Sequence, residues 1–171
     1  LTTWPGASGQ GRIAVGDFAL LCPGVRLQAS NAIKIGAGTM LASHVFITDS
    51  DWHGLYDRTD APGASAPVIL EEDCWIGDSA IITKGVRVGR GSVIGAGAVV
   101  TRDIPAMSIA AGNPAQVVRS LDPDRPVTGR ASLFADPAAL RAEVEGAAEY
   151  LSRGNRLWTW LRTVRWPKPD E

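Results

Sequence analysis

Aliphatic residues recur at every sixth position along most of the chain. From Leu70 the spacing of six holds without a slip as far as Val100, and two earlier blocks keep the same period. The key aliphatic positions are Val15, Leu21, Leu27, Ile35, Leu41, Ile47, Leu70, Ile76, Ile82, Val88, Ile94 and Val100. A strand alternates its faces every two residues and an α-helix repeats every 3.6, so neither element alone gives this period. The pattern instead predicts short strands, each followed by a tight corner.

Three six-residue units would close one triangular coil, and stacked coils would pair their strands in parallel. The key aliphatic of each unit would point inward and lie on the key aliphatic of the next coil. On this basis the sequence predicts four coils, at about residues 15–32, 35–52, 70–87 and 88–105. Since each coil is covered only by its neighbours, both ends of the stack are expected to need covering.

Two breaks in the period locate insertions. The interval from Leu27 to Ile35 is eight, which places two additional residues at a corner. The interval from Ile47 to Leu70 is 23, one unit of six plus a 17-residue excursion. The position that would continue the period holds His53 instead of an aliphatic residue. Glycines and prolines mark residues 53–69 as an extended loop, and a long loop on a rigid scaffold is a common place for function.

Composition narrows the classes of function. The 171-residue chain carries 17 basic and 18 acidic side chains, and a net charge of −1 argues against nucleic acid as a partner. No run of about 18 apolar residues is present to span a membrane. Cys22 and Cys74 are too few for a disulfide framework or a cysteine metal cluster, and we expect buried thiols in a cytoplasmic protein. The sequence shows no signal peptide, although it begins at Leu1 and not at Met.

The hexapeptides, His53 at the start of a loop, and the segment GAGAVVTRDIPAMSIAAGNPAQVVR (95–119) together resemble the hexapeptide-repeat acyltransferases. The resemblance covers about residues 13–120 and is strongest to the branch of maltose, galactoside and polysaccharide O-acetyltransferases. It implies an all-β, left-handed parallel β-helix with a protruding loop and a C-terminal α-helical tail. Residues 1–120 would form the acyltransferase domain, and 121–171 a linker and helical extension. The resemblance also implies a homotrimer with active sites between adjacent prisms, acetyl-CoA as co-substrate and no metal.

The resemblance assigns the general base to His53. A neutral imidazole can take the proton of an acceptor hydroxyl, whose oxygen then attacks the thioester carbonyl. Asp51 is the preferred partner to fix the tautomer of His53, and Asp49 is the alternative. The structural interpretation of either aspartate is the start of a solvated turn. His44 lies inside a regular unit, and we expect a surface or interface residue there.

The resemblance places the contacts with CoA on five residues: Asp78, Ala96, Thr101, Arg102 and Arg119. Arg102 and Arg119 would bind the nucleotide phosphates, because a guanidinium makes charged, bidentate contacts. A small side chain at Ala96 would let the pantetheine arm approach the backbone. Two positions depart from the family pattern: Asp78 replaces a serine, and Gln116 replaces a basic residue.

The loop is expected to supply the acceptor pocket, through Trp52, Tyr56, Asp57 and Arg58. Aromatic rings stack on sugar faces, and the charged side chains would bind sugar hydroxyls. An equally open interpretation is that Trp52 and Tyr56 fix the loop to a neighbouring subunit.

The C-terminal segment predicts one helix. Residues 121–130 form a proline-rich linker, and Asp136 followed by Pro137 is typical of an N-cap and first helical position, with the helix ending at about Ser152. The following segment, 154–171, interleaves tryptophans with arginines. We favour packing of these aromatics on a prism, with weak membrane-surface contact as the alternative. Liposome binding that is unchanged on removal of 154–171 would contradict the membrane interpretation.

The sequence therefore predicts transfer of an acetyl group from acetyl-CoA to a hydroxyl of a sugar or polysaccharide precursor. N-acetylation of an amino sugar stays open, and so does a non-catalytic β-helix scaffold, which predicts no affinity for CoA. Carbonic anhydrase-like proteins share the implied fold but need three histidines per zinc, and this chain has two, His44 and His53.

Overall fold

The computed structural model describes residues 1–6, 9–125 and 127–153. In these ranges the chain forms short strands, a 3₁₀ helix (Arg130–Phe134) and the helix α1 (Pro137–Ser152). The strands are β1 (Thr2–Thr3), β2 (Pro5–Gly6), β3 (Gly9–Gln10), β4 (Arg12–Val15), β5 (Leu20–Leu21), β6 (Arg26–Ala29), β7 (Ala32–Ile35), β8 (Met40–Leu41), β9 (Phe46–Thr48), β10 (Val68–Leu70), β11 (Trp75–Ile76), β12 (Ile81–Ile82), β13 (Arg87–Val88), β14 (Val93–Ile94), β15 (Val99–Val100), β16 (Ser108–Gly112) and β17 (Ala115–Ser120). Over the same ranges, no helix has the length and apolar character needed to cross a membrane.

All the strands except β2 and β3, which pair with each other, stack into three sheets, which we call faces A, B and C. Face A contains β1, β6, β9, β12 and β15, and face B contains β4, β7, β10 and β13. Face C contains β5, β8, β11, β14 and β16, with β17 antiparallel at its edge. The parallel register places Leu27, Ile47, Ile82 and Val100 on one another along face A. The parallel stacking of four coils predicted from the period of six is confirmed.

The key aliphatic residues form the core. Ten of the twelve are buried, and Leu21 is half-buried against them. Burying one such side chain contributes about 1.5–3 kcal/mol, so this stack is a main source of stability. Val15 is the exception: it is in register with the buried Ile35 but is 44% exposed, so it is not part of the buried core. Its strand, β4, is the outermost strand of face B, so no further coil covers it.

Tight corners join the faces and stack on one another. The corner between faces A and B contains residues 4–6, 9–11, 29–31, 48–51, 83–86 and 101–104. The corner between faces C and A contains residues 22–25, 42–45, 77–80 and 95–98. His44 lies at the C–A corner, where it is exposed as predicted and has φ +61°. We refer to these corners below as the A–B and C–A corners.

The chain divides into two compact units, Leu1–Arg130 and Ala131–Glu171. Residues 121–130, which we predicted to be a linker, are hydrogen-bonded to the first unit at both ends. The amide of Leu121 donates to the carbonyl of Met107 at 2.6 Å, and Nε of Arg130 donates to the carbonyl of Phe18 at 3.2 Å.

Helix α1 begins and ends where the sequence predicted. The carboxylate of Asp136 accepts hydrogen bonds from the amides of Ala138 and Ala139, both at 3.0 Å, which confirms the N-cap. The aromatic and basic segment 154–171, for which we predicted packing on a prism or membrane contact, lies outside the described residues.

The two cysteines differ in burial, and this difference predicts their reactivity. Cys74 is fully buried and Cys22 is half-buried. Burial raises the pKa of the Cys74 thiol to about 11 from an ordinary value of 9.0. Because the thiolate is the reactive form, iodoacetamide at pH 8 should label Cys22 in the folded protein and leave Cys74 unlabelled until guanidinium is added. Peptide mass spectrometry measures both sites, and equal labelling without denaturant would contradict this prediction.

The raised pKa of Cys74 makes the stability of the folded protein depend on pH. The folded state holds the Cys74 thiol protonated more strongly than the unfolded state does, so the raised pKa stabilises the protein at low and neutral pH. This contribution is complete below about pH 9 and is lost as the pH rises towards 11.

Candidate active site

The loop predicted from the break in the period leaves the stack at the A–B corner, and hydrogen bonds close its base. Ser50 and Ser65 form an antiparallel bridge. The amide of Asp51 donates to the carbonyl of Ala64 at 3.0 Å, and the hydroxyl of Ser50 donates to the carbonyl of Pro62 at 2.6 Å. The two ends of the loop are therefore held together before the period resumes in β10.

His53 is exposed immediately beyond this base. Its main chain is held by Gly63, where an added Cβ would lie 2.4 Å from the carbonyl oxygen of His53. Gly63 also has φ +70°, so both the close approach and the backbone angle require glycine. Within the described part of the chain, no hydrogen bond engages the imidazole. The backbone thus fixes the position of His53 while the ring stays free to accept a proton.

Asp51 is paired with a residue that the sequence did not indicate. Its Oδ1 accepts a hydrogen bond from Nζ of Lys84 at 2.7 Å, and the side chains are 29% and 35% exposed, respectively. The hydrogen bonds found over the described ranges include none between Asp51 and His53. The role of Asp51 as partner of His53 therefore stays a prediction, and Lys84 joins the candidate site.

Asp49 has a structural role. It is fully buried, and its two oxygens accept hydrogen bonds from the amides of Ser30 and Asn31, both at 2.8 Å. Ser30 and Asn31 form the corner that follows Leu27, where the period gains two residues. Both oxygens of Asp49 are thus engaged at this corner, and the alternative in which Asp49 orients His53 stays a prediction.

A polar cleft of about 430 Å³ opens beside the base of the loop. Its lining residues are Thr48, Ser50, Asp51, Ala66, Thr83, Lys84 and Thr101. Thr48 ends β9, and Thr83 and Thr101 follow β12 and β15, so the three threonines occupy equivalent positions along the A–B corner. A larger cleft of about 500 Å³ lies on face B and contains none of the predicted site residues. We therefore base the candidate site on the smaller cleft.

The larger cleft is organised by ion pairs. Glu71 pairs with Arg87 and also accepts a hydrogen bond from the amide of Arg90 at 2.8 Å. These interactions, led by the Arg90 amide, hold the pKa of Glu71 below its ordinary value. No histidine lines this cleft, and ion pairs engage Glu71, Glu72, Arg87 and Arg90 among its charged side chains.

Two of the predicted CoA residues stack at the C–A corner. The amide of Gly97, next to Ala96, donates to the carbonyl of Asp78 at 2.8 Å. An added Cβ on Gly77 would lie 2.6 Å from the amide nitrogen of Ala96, so these corners are closely packed. The carboxylate of Asp78 accepts a hydrogen bond from the hydroxyl of Ser79 at 2.7 Å. Asp78 and Ala96 are both exposed.

The other predicted CoA residues lie elsewhere. Thr101 and Arg102 follow β15 at the A–B corner, and Arg119 lies on β17 opposite Ile109 at the edge of face C. All three are exposed. Within one chain, the full width of face A therefore separates Asp78 and Ala96 from the corner that carries His53.

The predicted acceptor residues differ in how firmly they are held. Nε1 of Trp52 donates to the hydroxyl of Thr48 at 2.9 Å, and the ring is half-buried. The Tyr56 and Arg58 side chains are exposed. Asp57 accepts hydrogen bonds from the hydroxyl and amide of Thr59, and these lower the pKa of Asp57. Trp52 is thus the member of this set that is fixed next to the cleft.

Over residues 1–6, 9–125 and 127–153, no three His, Cys, Asp or Glu side chains are placed to hold a metal ion.

Similarity to known sequences agrees with this geometry. The family described as the hexapeptide repeat of succinyl-transferase matches residues 67–102. A 2,3,4,5-tetrahydropyridine-2,6-dicarboxylate N-acetyltransferase from Staphylococcus aureus is 39% identical over 87 residues, which are 51% of this chain and 30% of the relative. The chain thus spans less than a third of the length of the curated relatives it matches.

Solved structures extend the similarity over most of the coil stack. A hexapeptide-repeat-containing acetyltransferase from Vibrio cholerae superposes with a TM-score of 0.61 at 31% identity, covering 64% of this chain and 63% of the other. A maltose O-acetyltransferase from Clostridium difficile superposes with a TM-score of 0.51 at 30% identity, covering 65% and 67%. A polySia-specific acetyltransferase gives a TM-score of 0.57 at 27% identity, covering 78% and 63%. As the sequence resemblance indicated, the chain belongs to the hexapeptide-repeat acyltransferases.

Proposed function

We propose that this chain transfers an acetyl group from acetyl-CoA to a hydroxyl of a sugar, with His53 as general base. The observation that carries the proposal is an exposed histidine on the coil stack of this family, two residues after Asp51, which lines the polar cleft. His53 takes the proton of the hydroxyl as its oxygen attacks the thioester carbonyl. The carbon–sulfur bond then breaks, and CoA leaves as its thiol after receiving a proton.

The donor is supported by the chemistry of the exposed residues. Arg102 and Arg119 are unpaired with acidic side chains over the described ranges and offer guanidinium groups to the CoA phosphates. Ala96 presents a small side chain at a corner, where a pantetheine arm could lie against the backbone. The V. cholerae relative has also been solved in complex with acetyl coenzyme A.

The separation of the two corners supports a site shared between copies of this chain. The A–B corner of one copy supplies His53, and the C–A corner of the next supplies Asp78 and Ala96. Phe46 and Ile81 form a half-buried apolar pair on the outside of face A, which a neighbouring copy would cover. A homotrimer of left-handed coils is the assembly that family membership favours, and a monomer in light scattering would contradict it.

The acceptor has two candidate chemistries. Relatives named as maltose and polySia-specific acetyltransferases favour a sugar hydroxyl. The S. aureus relative is named as an N-acetyltransferase, and this observation favours an amine as the second candidate. Treatment of the acetylated product with hydroxylamine distinguishes them, because an ester is cleaved under conditions that leave an amide intact.

Calorimetric titration with acetyl-CoA and CoA tests the donor site. The wild-type protein should bind both, and an Arg102→Ala, Arg119→Ala double variant should bind about 10- to 100-fold more weakly, through loss of two charge-assisted contacts. Arg12→Ala is the matched control, because Arg12 is exposed on β4 of face B.

Unchanged affinity in the double variant would contradict the assignment of the two arginines. An absence of binding at millimolar ligand, from a folded wild-type protein, would contradict the transferase proposal itself. That second result would favour the non-catalytic scaffold.

A further inference from the structure

Two tryptophans from distant parts of the sequence meet at the A–B corner. The ring centroids of Trp4 and Trp52 are 6.1 Å apart, with an angle of 70° between the ring planes. Trp4 is 51% exposed, so much of its ring contacts no described residue. An edge-to-face pair of this kind stabilises the arrangement of the rings and leaves one of them accessible.

Hydrogen bonds hold the main chain of Trp4 and the ring of Trp52. The amide of Trp4 donates to the carbonyl of Ala29 at 2.8 Å, and the amide of Gly11 donates to the carbonyl of Trp4 at 2.9 Å. An added Cβ on Gly11 would lie 2.2 Å from the carbonyl oxygen of Ala29, so the backbone there is in close contact with the first coil. Trp52 is held through Nε1 by Thr48. The pair is therefore ordered before any ligand arrives, which lowers the entropic cost of binding.

The register of face A orders the site along the A–B corner. Trp4 continues β1, Trp52 and His53 follow β9, Lys84 follows β12, and Arg102 follows β15. With neighbouring strands about 4.8 Å apart, Arg102 lies about 10 Å from the level of β9 along the stack. Trp4 lies on the other side of β9. Trp4 and Arg102 are thus on opposite sides of the level of β9 along this corner.

The surface of the pair selects the chemistry of its ligand. Nε1 of Trp52 is already bonded to Thr48, so this ring offers its apolar surface and no donor. The C–H face of a pyranose matches such a surface. The cleft beside it, with Thr48, Thr83 and Lys84, supplies hydroxyl and ammonium groups for the hydroxyls of the same sugar.

We propose that Trp4 and Trp52 form an acceptor subsite that stacks on a pyranose ring and presents its hydroxyl to His53. This inference rests on the proposed function, since it takes His53 as the base. It adds Trp4, which precedes the first aliphatic repeat and which no motif in the sequence indicates. It also places Trp4 on the side of β9 opposite to Arg102.

Tryptophan fluorescence with maltose, methyl galactoside and N-acetylneuraminic acid as probes, in the presence of CoA, tests the subsite directly. The full-length protein should show a saturable change with at least one probe. Trp4→Ala should weaken binding of that sugar and raise its KM about 3- to 10-fold, as expected for the loss of one aromatic stacking partner. The affinity for acetyl-CoA should be unchanged. Trp4→Phe should retain most of the binding, because a smaller aromatic ring still stacks.

Trp75→Phe is the matched control, because Trp75 is also 51% exposed but lies on face C. Sugar affinity equal to wild type in Trp4→Ala, or an equal loss in Trp75→Phe, would overturn the subsite. So would the absence of any sugar response from a protein that binds acetyl-CoA. If Trp4→Ala does not fold, Trp4→Leu takes its place, because leucine keeps an apolar side chain but has no aromatic ring, and a sugar KM equal to wild type in that variant would overturn the subsite. Failure of acetyl-CoA to bind to the wild-type protein is a separate result, which contradicts the proposed function.

Discussion

Replacing His53 with asparagine is expected to lower the rate of acetyl transfer by about 10²- to 10⁴-fold, the usual contribution of a general base. Asparagine keeps a polar group at this position but cannot take the proton of the acceptor. Because the imidazole is exposed and has no hydrogen bond within the described residues, the substitution should leave the melting temperature and the affinity for acetyl-CoA unchanged. The effect is therefore confined to the chemical step.

The rate of CoA thiol release in the presence of an acceptor sugar measures this effect. His44→Asn is the matched control, because His44 is exposed at the C–A corner and asparagine tolerates its φ of +61°. We expect this variant to retain wild-type turnover. Unchanged turnover in His53→Asn would contradict the assignment of the base. An equal loss in both variants would show that the base function is not confined to His53.

The core and the loop were predictable because one geometry produces the period of six. Each strand with its corner takes six residues, so each key aliphatic residue, such as Ile82, must lie on the equivalent residue of the next coil. Once that register is known, an interruption is equally informative. The position after Ile47 that should hold an aliphatic residue holds His53, and the structure places the loop there.

The polar contacts of the site were not predictable in the same way. Asp51 and Lys84 meet because the loop returns the chain to the same corner one coil later, and the length of the loop hides this spacing. If the register is continued across the loop, Ile47 lies opposite Ile82. The corner residues that follow each of them are then neighbours, and this comparison could have identified Lys84. Trp4 precedes the first repeat, so no register applied to it.

The interpretation of Asp49 shows a further limit of sequence patterns. An aspartate in the run Asp49–Ser50–Asp51 is typical of a solvated turn, and only the fold shows that one of the two aspartates is buried. The insertion of two residues after Leu27 was visible in the sequence. The residue that stabilises that insertion lies a full coil away, and the period of six carries no information about it.

Replacing Asp49 with asparagine is expected to destabilise the fold by about 2–4 kcal/mol. The carboxylate is fully buried and accepts from the amides of Ser30 and Asn31 at 2.8 Å, with the Ser30 hydroxyl at 3.4 Å. Asparagine keeps one acceptor oxygen but turns an NH₂ group towards the second amide. The substitution therefore removes charge-assisted hydrogen bonds and leaves a buried donor without an acceptor, each worth about 1–3 kcal/mol.

The expected cost corresponds to a fall in melting temperature of about 5–15 °C for a chain of this size, measurable by calorimetry or circular dichroism. Asp51→Asn is the matched control, since Asp51 is partly exposed and its ion pair with Lys84 should contribute no more than about 1 kcal/mol. An Asp49→Asn variant as stable as Asp51→Asn would contradict the structural role of Asp49. A large difference in stability between the two variants would show that these aspartates have different roles. Asp49 would stabilise the corner, and Asp51 would face the cleft.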